Sequence, residues 1–203
     1  IENWTIHLAD AYDDWRGISG LEQYRAAAAH AAAHLVYTRQ PLSAEALTPL
    51  QMAVISVIED ARVEQLAIRA FPGLGPLWRR LHQATPGHAA TAGGWLNRIA
   101  RALLDPDYRD DAPLIARARL LFAERCAGLD GNEISWDIGV ALAHDLSRLG
   151  VNYHPRNDVL DASDTGRIGS VTLRLVQGAS CAAGTTLQTI TTNATGQYSF
   201  GNV

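Results

Sequence analysis

The chain has 203 residues, 47% of them hydrophobic and 19% charged, enough for one or two globular domains with a packed core. A formal net charge of -4, a pI near 5.9 and no visible basic stripe argue against nucleic acid or an anionic membrane as partner. No apolar stretch is long enough to cross a bilayer, so membrane insertion is not expected, and Ile1 does not open a signal peptide, so the chain reads as a fragment or processed piece.

In chain order, Trp4, Ile6, Leu8, Tyr12 and Trp15 give a helix candidate with mixed apolar spacing, ended by a break at Gly17 and Gly20. The alanine-rich run 21–39 has high helix propensity and is closed by Pro41. Thr48-Pro49-Leu50-Gln51 is a capping box with proline at the first helical position, which predicts a long helix over 49–70, stopped by Phe71-Pro72-Gly73. A short helix is expected from Pro76 through Leu81, and another over 95–104, ended by Asp105-Pro106. Pro113 opens a periodic run to Arg125, with Gly128 placed as its cap. A last helix over 135–149 would use Ile138, Leu142, Leu146 and Leu149 as its apolar stripe and Gly150 as its cap.

Beyond Gly150 the composition changes. Val171, Leu173 and Leu175 alternate with Thr172 and Arg174, residues 185–192 form a second β-rich run, and Gln197 to Phe200 a third after a turn. The fold expected is mainly α: a helical bundle over 1–150, an exposed linker over 151–168, and a small, incomplete β-sandwich module over 169–203.

Two stretches carry the chemistry. His30 and His34, four residues apart, share one face of a helix, and the alanines between them allow a partner backbone to come close. Two imidazoles one turn apart can ligate zinc or another divalent metal, and Glu59 on the next helix is the carboxylate expected to complete the set. A His-Glu-x-x-His general base would occupy position 31, which is Ala31, so hydrolysis by that route is not expected even with metal bound. The alternative is a helix interface in which both histidines hydrogen-bond the acidic cluster.

Asp60, Arg62 and Glu64 form the expected ion network with Glu59. Glu59 and Arg62 are an i,i+3 pair, whereas Asp60 and Glu64 are like charges at i,i+4 and call for a nearby cation: Arg25, Arg39, Arg69 or a protonated histidine. Trp78, Trp95 and Trp136 read as core or helix-interface residues, and His144-Asp145 as surface polar sequence. Cys126 and Cys181 fall in regions of different character and read as free thiols, which suits a reducing compartment.

Several of these pieces, in order, resemble the N-terminal region of the nitric oxide reductase activation protein family, the NorD type, which includes accessory proteins of Rubisco activation. They are Tyr24-Arg25 with His30-Ala-Ala-Ala-His34, Ile58-Glu-Asp-Ala-Arg-Val-Glu64, Phe71-Pro-Gly-Leu74, Leu77-Trp78, the run from Arg98 to Pro106, and Ile134-Ser-Trp136. The resemblance implies a non-enzymatic, cytoplasmic adapter that works with a MoxR-type AAA+ ATPase to activate or assemble a target metalloenzyme. Such proteins usually continue into a von Willebrand A domain; Asp161-Ala-Ser-Asp-Thr165 follows the order of that domain's metal site but lacks the preceding hydrophobic strand. A calcium loop in the same stretch would lack its bidentate Glu at Thr172. The tail, ending Thr-Gly-Gln-Tyr-Ser-Phe-Gly-Asn-Val203, resembles part of a B-type repeat domain of bacterial surface proteins. Two other expectations therefore stand beside the adapter: a zincin-like metal-binding domain without its catalytic Glu, and a fragment of a bacterial surface protein.

Overall fold

The structure is a computed structural model, and it describes residues 8–38, 40, 45–87, 91–125, 131–151 and 153, with the backbone of 172–177 and 185–191. The chain forms two compact units, Ile1–Ser163 and Asp164–Val203. The first is helical: α1 (Gly20–Tyr37), α2 (Pro49–Ala70), α3 (Leu74–Arg79), α4 (Ala92–Leu104), α5 (Pro113–Arg125) and α6 (Glu133–Arg148). No described helix is long and apolar enough to cross a membrane.

Local chemistry sets most helix ends. Ser19 caps α1 in a capping box with Glu22, and Thr48 caps α2 in another with Gln51. Thr91 caps α4 by accepting from the Gly94 N–H. Gly150, at φ +71, provides the left-handed residue that follows α6. The first helix begins with Gly20 as a helical residue, not as a break, because Asp14 Oδ1 accepts its N–H at 2.8 Å and the serine before it is the cap. No helix forms over residues 8–15. Mixed apolar spacing gives that segment no single face to bury. It ends instead in a tight turn in which Trp15 and Ile18 exchange both backbone hydrogen bonds, at 2.9 and 2.8 Å.

The second helix is the axis of the unit, packing against α1, α3, α4 and α6. It is buried over most of its circumference: Val54, Ile58, Val63 and Arg62 expose essentially nothing, while Met52 and Ser56 reach the surface. Its first half joins α4, α5 and α6 in one apolar core around Ile99, Ile115, Leu142 and Leu146. Its second half, through Val63 and Ala67, joins α1 and α3 in a second core around Ala26, Ala33 and Trp78. Trp78 is held there by its indole Nε1, which donates to Ala26 O at 3.1 Å. In the last helix Leu149, expected on the apolar stripe, is 52% exposed, because the helix has ended and the chain turns at Gly150.

The loop between α4 and α5 is fastened by charge. Arg98 donates to both oxygens of Asp110, at 2.7 and 2.6 Å, Tyr108 OH adds a third bond at 2.8 Å, and the guanidinium stacks on the Trp95 ring at 4.2 Å. These bonds, Arg98's foremost, hold the Asp110 carboxyl down at about 2.

The second unit contains β1 (Thr172–Gln177) and β2 (Thr185–Thr191), paired antiparallel from Thr172↔Thr191 to Gln177↔Thr185 with an irregularity between Leu175 and Val176. The third expected strand at Gln197 to Phe200, the linker beyond Tyr153 with Asp161 to Thr165, Cys126, Cys181, Gly128, Pro41 and Arg39 lie outside the described residues, and at the start of the expected exposed linker Val151 and Tyr153 are instead partly buried against the helical core.

Helices α2 and α6 approach closely at Gly139, where an added Cβ would lie 2.5 Å from Ile55 Cγ1 and 2.7 Å from Ile55 Cα. Gly139→Ala should therefore destabilise the protein by about 1–3 kcal/mol through overpacking, although alanine is the better helix former. Urea denaturation checks this, and a stabilised variant would mean that the helices are less tightly apposed.

Candidate functional site

His30 and His34 lie one turn apart on α1 and face α2. Their Nε2 atoms are 3.2 Å apart, and Asp60 Oδ1 is 3.0 Å from His34 Nε2 and 3.6 Å from His30 Nε2. Among the described residues, these three side chains form the one group of histidine, cysteine and carboxylate atoms placed to hold a metal ion. The triangle is the right size: ligand bonds of about 2.0–2.1 Å in a tetrahedral zinc site put neighbouring ligand atoms about 3.3 Å apart.

The outward nitrogens are also anchored. His30 Nδ1 lies 2.9 Å from Glu64 Oε1, and His34 Nδ1 lies 3.0 Å from Thr38 Oγ1. Thr38 in turn donates to Glu59 Oε1 at 2.6 Å. Each imidazole thus has an acceptor on the side away from Asp60, the arrangement that fixes tautomer and ring direction in metal-binding histidines.

Glu59 occupies a different place from the one its position in the sequence suggests. Arg62 grips it through Nε at 2.7 Å and Nη2 at 2.6 Å, and Ser135 Oγ donates to it at 2.7 Å. With Thr38 added, both oxygens are engaged, and Glu59 meets the site only through Thr38. The carboxylate beside the histidines is Asp60, which corrects the expected ligand set of His30, His34 and Glu59. The rotation of α2 decides the matter, because adjacent helical residues point about 100° apart. Arg62, with no exposed surface, also donates to Tyr37 O at 2.9 Å, so one buried ion pair ties α2 to α1 and, through Ser135, to α6.

The cation required by Asp60 and Glu64 comes from His30, which lies 3.6 Å from Asp60 and 2.9 Å from Glu64. Arg25 and Arg69 are exposed. Burial disfavours a charged His30, but hydrogen bonds to Asp60 and Glu64 outweigh it and raise the imidazole to about 10. Burial likewise opposes ionisation of Asp60, and the bonds from His30 and His34 outweigh it, holding the carboxyl at about 2. Glu59 is lowered too, with burial overcome by Arg62, Thr38 and Ser135. His82 approaches Glu64 at 3.9 Å.

The site opens on a cavity of about 300 Å³ whose lining includes Val57, Trp78 and Leu81 with His30, Asp60 and Glu64. Ala31 also lines it, at the position where the glutamate of a His-Glu-x-x-His pattern would stand. Sequence reasoning missed Thr38, Ser135 and His82. Thr38 was findable, since it follows His34 by one helical turn; Ser135 and His82 reach the cluster only through tertiary packing.

Against family models, curated proteins and solved structures, the chain has no match.

Glu59→Ala leaves the Arg62 charge buried without its partner and should cost about 3–5 kcal/mol, whereas Glu59→Leu combined with Arg62→Met should recover most of that loss. Thermal or urea unfolding distinguishes these outcomes. In chelator-treated protein, His30 is raised on folding, so its contribution is complete below about pH 6.5 and is lost as the pH rises toward about 10. The melting temperature should fall over that window, and His30→Gln should flatten the dependence.

Proposed function

We propose that the helical unit is a divalent-metal-binding accessory module, with His30, His34 and Asp60 as the protein ligands of zinc or a similar ion. The observation that carries this reading is the triangle of two Nε2 atoms and one carboxylate oxygen at 3.2, 3.0 and 3.6 Å, with both outward nitrogens already anchored. Three protein ligands leave a fourth position facing the cavity, open to water or to a group from a partner. With Ala31 in place of a base, the ion serves binding or regulation, not hydrolysis, and the unit is not an enzyme.

The partner reading rests on the NorD resemblance. Three of the sequence pieces that carry it, around His30, Glu64 and Trp78, are far apart in the chain yet line the same cavity. The module then acts in the cytoplasm with a MoxR-type AAA+ ATPase on a target metalloenzyme such as nitric oxide reductase. The chain has no phosphate-binding Gly-rich loop ending in Lys-Ser or Lys-Thr, so the ATPase supplies the energy. The antiparallel pair β1 and β2 fits the start of a small β-sandwich, and the surface-protein alternative for the tail rests on its sequence resemblance to a B-type repeat.

Chelator-treated protein titrated with zinc should take up a single equivalent. His34→Ala and Asp60→Asn should abolish that uptake, and Glu64→Gln should weaken it by about 10–100-fold through loss of the anchor on His30. Calorimetry with elemental analysis measures both. No stoichiometric uptake, or uptake indifferent to His34 and Asp60, would contradict the metal reading. Affinity capture with the co-encoded ATPase tests the partner, and ATP turnover by this chain alone would contradict the adapter.

A further inference from the structure

His82, which lines the cavity beside the metal-ligand triangle, also lines a depression in which the fold gathers four arginines that are scattered in sequence. Arg16, Arg79, Arg80 and Arg101 line one open depression, joined by Gln83 and Thr85. All 17 basic residues of this chain are arginine, so the residue type is uninformative here; their convergence is the observation. Arg80 is neutralised by Glu22 at 2.6 Å, and Arg101 pairs with Asp105 at 3.3 Å. Among the described residues, Arg16 has only the neutral Gln83 amide oxygen, at 3.0 Å, and the Trp15 ring. Arg79 has a buried Nε–H with no hydrogen-bond acceptor among the described residues. Among the described residues, neither Arg16 nor Arg79 makes an ion pair, in a chain whose net charge is -4.

The backbone at Arg16 points the same way. Arg16 has φ +46 and Gly17 φ +77, the pattern of a tight turn with both central residues in the left-handed region. Glycine and asparagine suit the first of these positions, and arginine is strained there. Strained backbone positions cluster at sites that hold ligands, and Arg16 lines this depression.

We infer that this depression binds the phosphate group of a small phosphorylated molecule. A phosphate monoester carries close to two negative charges at neutral pH and three acceptor oxygens, which matches two guanidinium groups without an ion pair among the described residues and a threonine, Thr85, in the same lining. A single carboxylate would leave one arginine unanswered. The site is separate from His30, His34 and Asp60; His82 lines both cavities.

The test uses the full chain, chelator-treated so that phosphate cannot ligate a metal, with inorganic phosphate as the probe at constant ionic strength. Backbone amide spectra should show saturable shifts around 15–18 and 79–85. Arg79→Gln and Arg16→Asn should each weaken binding by roughly tenfold, the loss expected for a charge-assisted contact. Arg16→Asn suits the left-handed turn, so it should keep the wild-type melting temperature and separate binding from folding. Absence of saturable shifts, wild-type affinity in either variant, or succinate binding as tightly as phosphate would overturn the assignment.

Discussion

A guanidinium with no exposed surface sits in the middle of the longest helix, and the rest of the helical unit is arranged to accommodate it. Burying a charge is costly unless it is paired and its remaining donors are satisfied. Arg62 meets that demand with both oxygens of Glu59 and the carbonyl of Tyr37, while Thr38 and Ser135 satisfy the outer lone pairs of Glu59. The partners come from the end of α1 and the start of α6. The three helices must therefore meet at this level, and α2 must be turned so that Glu59 and Arg62 point inward between them.

That rotation creates the site. Once Glu59 is turned into the core, Asp60 is turned toward α1, and Glu64, one helical turn further on, falls on the same side. Two neighbouring carboxylates thus take separate roles: Glu59 balances a buried cation, and Asp60 faces the histidines. Thr38 connects them, touching His34 on one side and Glu59 on the other. A change in charge at the histidines is in this way two hydrogen bonds from the pair that holds the helices together. The His34 Nε2 that would ligate an ion is also hydrogen-bonded to Asp60, so metal and proton compete for the same place.

What could be read from the sequence divides along physical lines. The helix over Pro49–Ala70 was legible because its signals are local: the Thr48 to Gln51 capping box, proline at the first position, and Phe71-Pro72-Gly73 at the end. The choice between Glu59 and Asp60 was not, because the buried face of α2 is wide and takes in the charged Glu59, Arg62 and Glu64, so its apolar pattern does not fix the rotation. His30 and His34 announced themselves by spacing, as did the Glu59 to Arg62 pair. The segment before Trp15 failed for the opposite reason, since a pattern of aromatic residues without a period does not make a helix. The arginine depression was invisible as a stripe because its members come from positions 16, 79, 80 and 101, which only the packing of α1, α3 and α4 brings together.

The division of labour between Glu59 and Asp60 is the central claim, and anomalous diffraction at the zinc edge from crystals of the zinc-loaded protein tests it most directly. The account predicts a single peak bonded to His30 Nε2, His34 Nε2 and Asp60 at about 2.0–2.2 Å, with the Glu59 to Arg62 pair intact beside it. A peak bonded to Glu59 with Arg62 displaced, or no peak at the histidines, would contradict it.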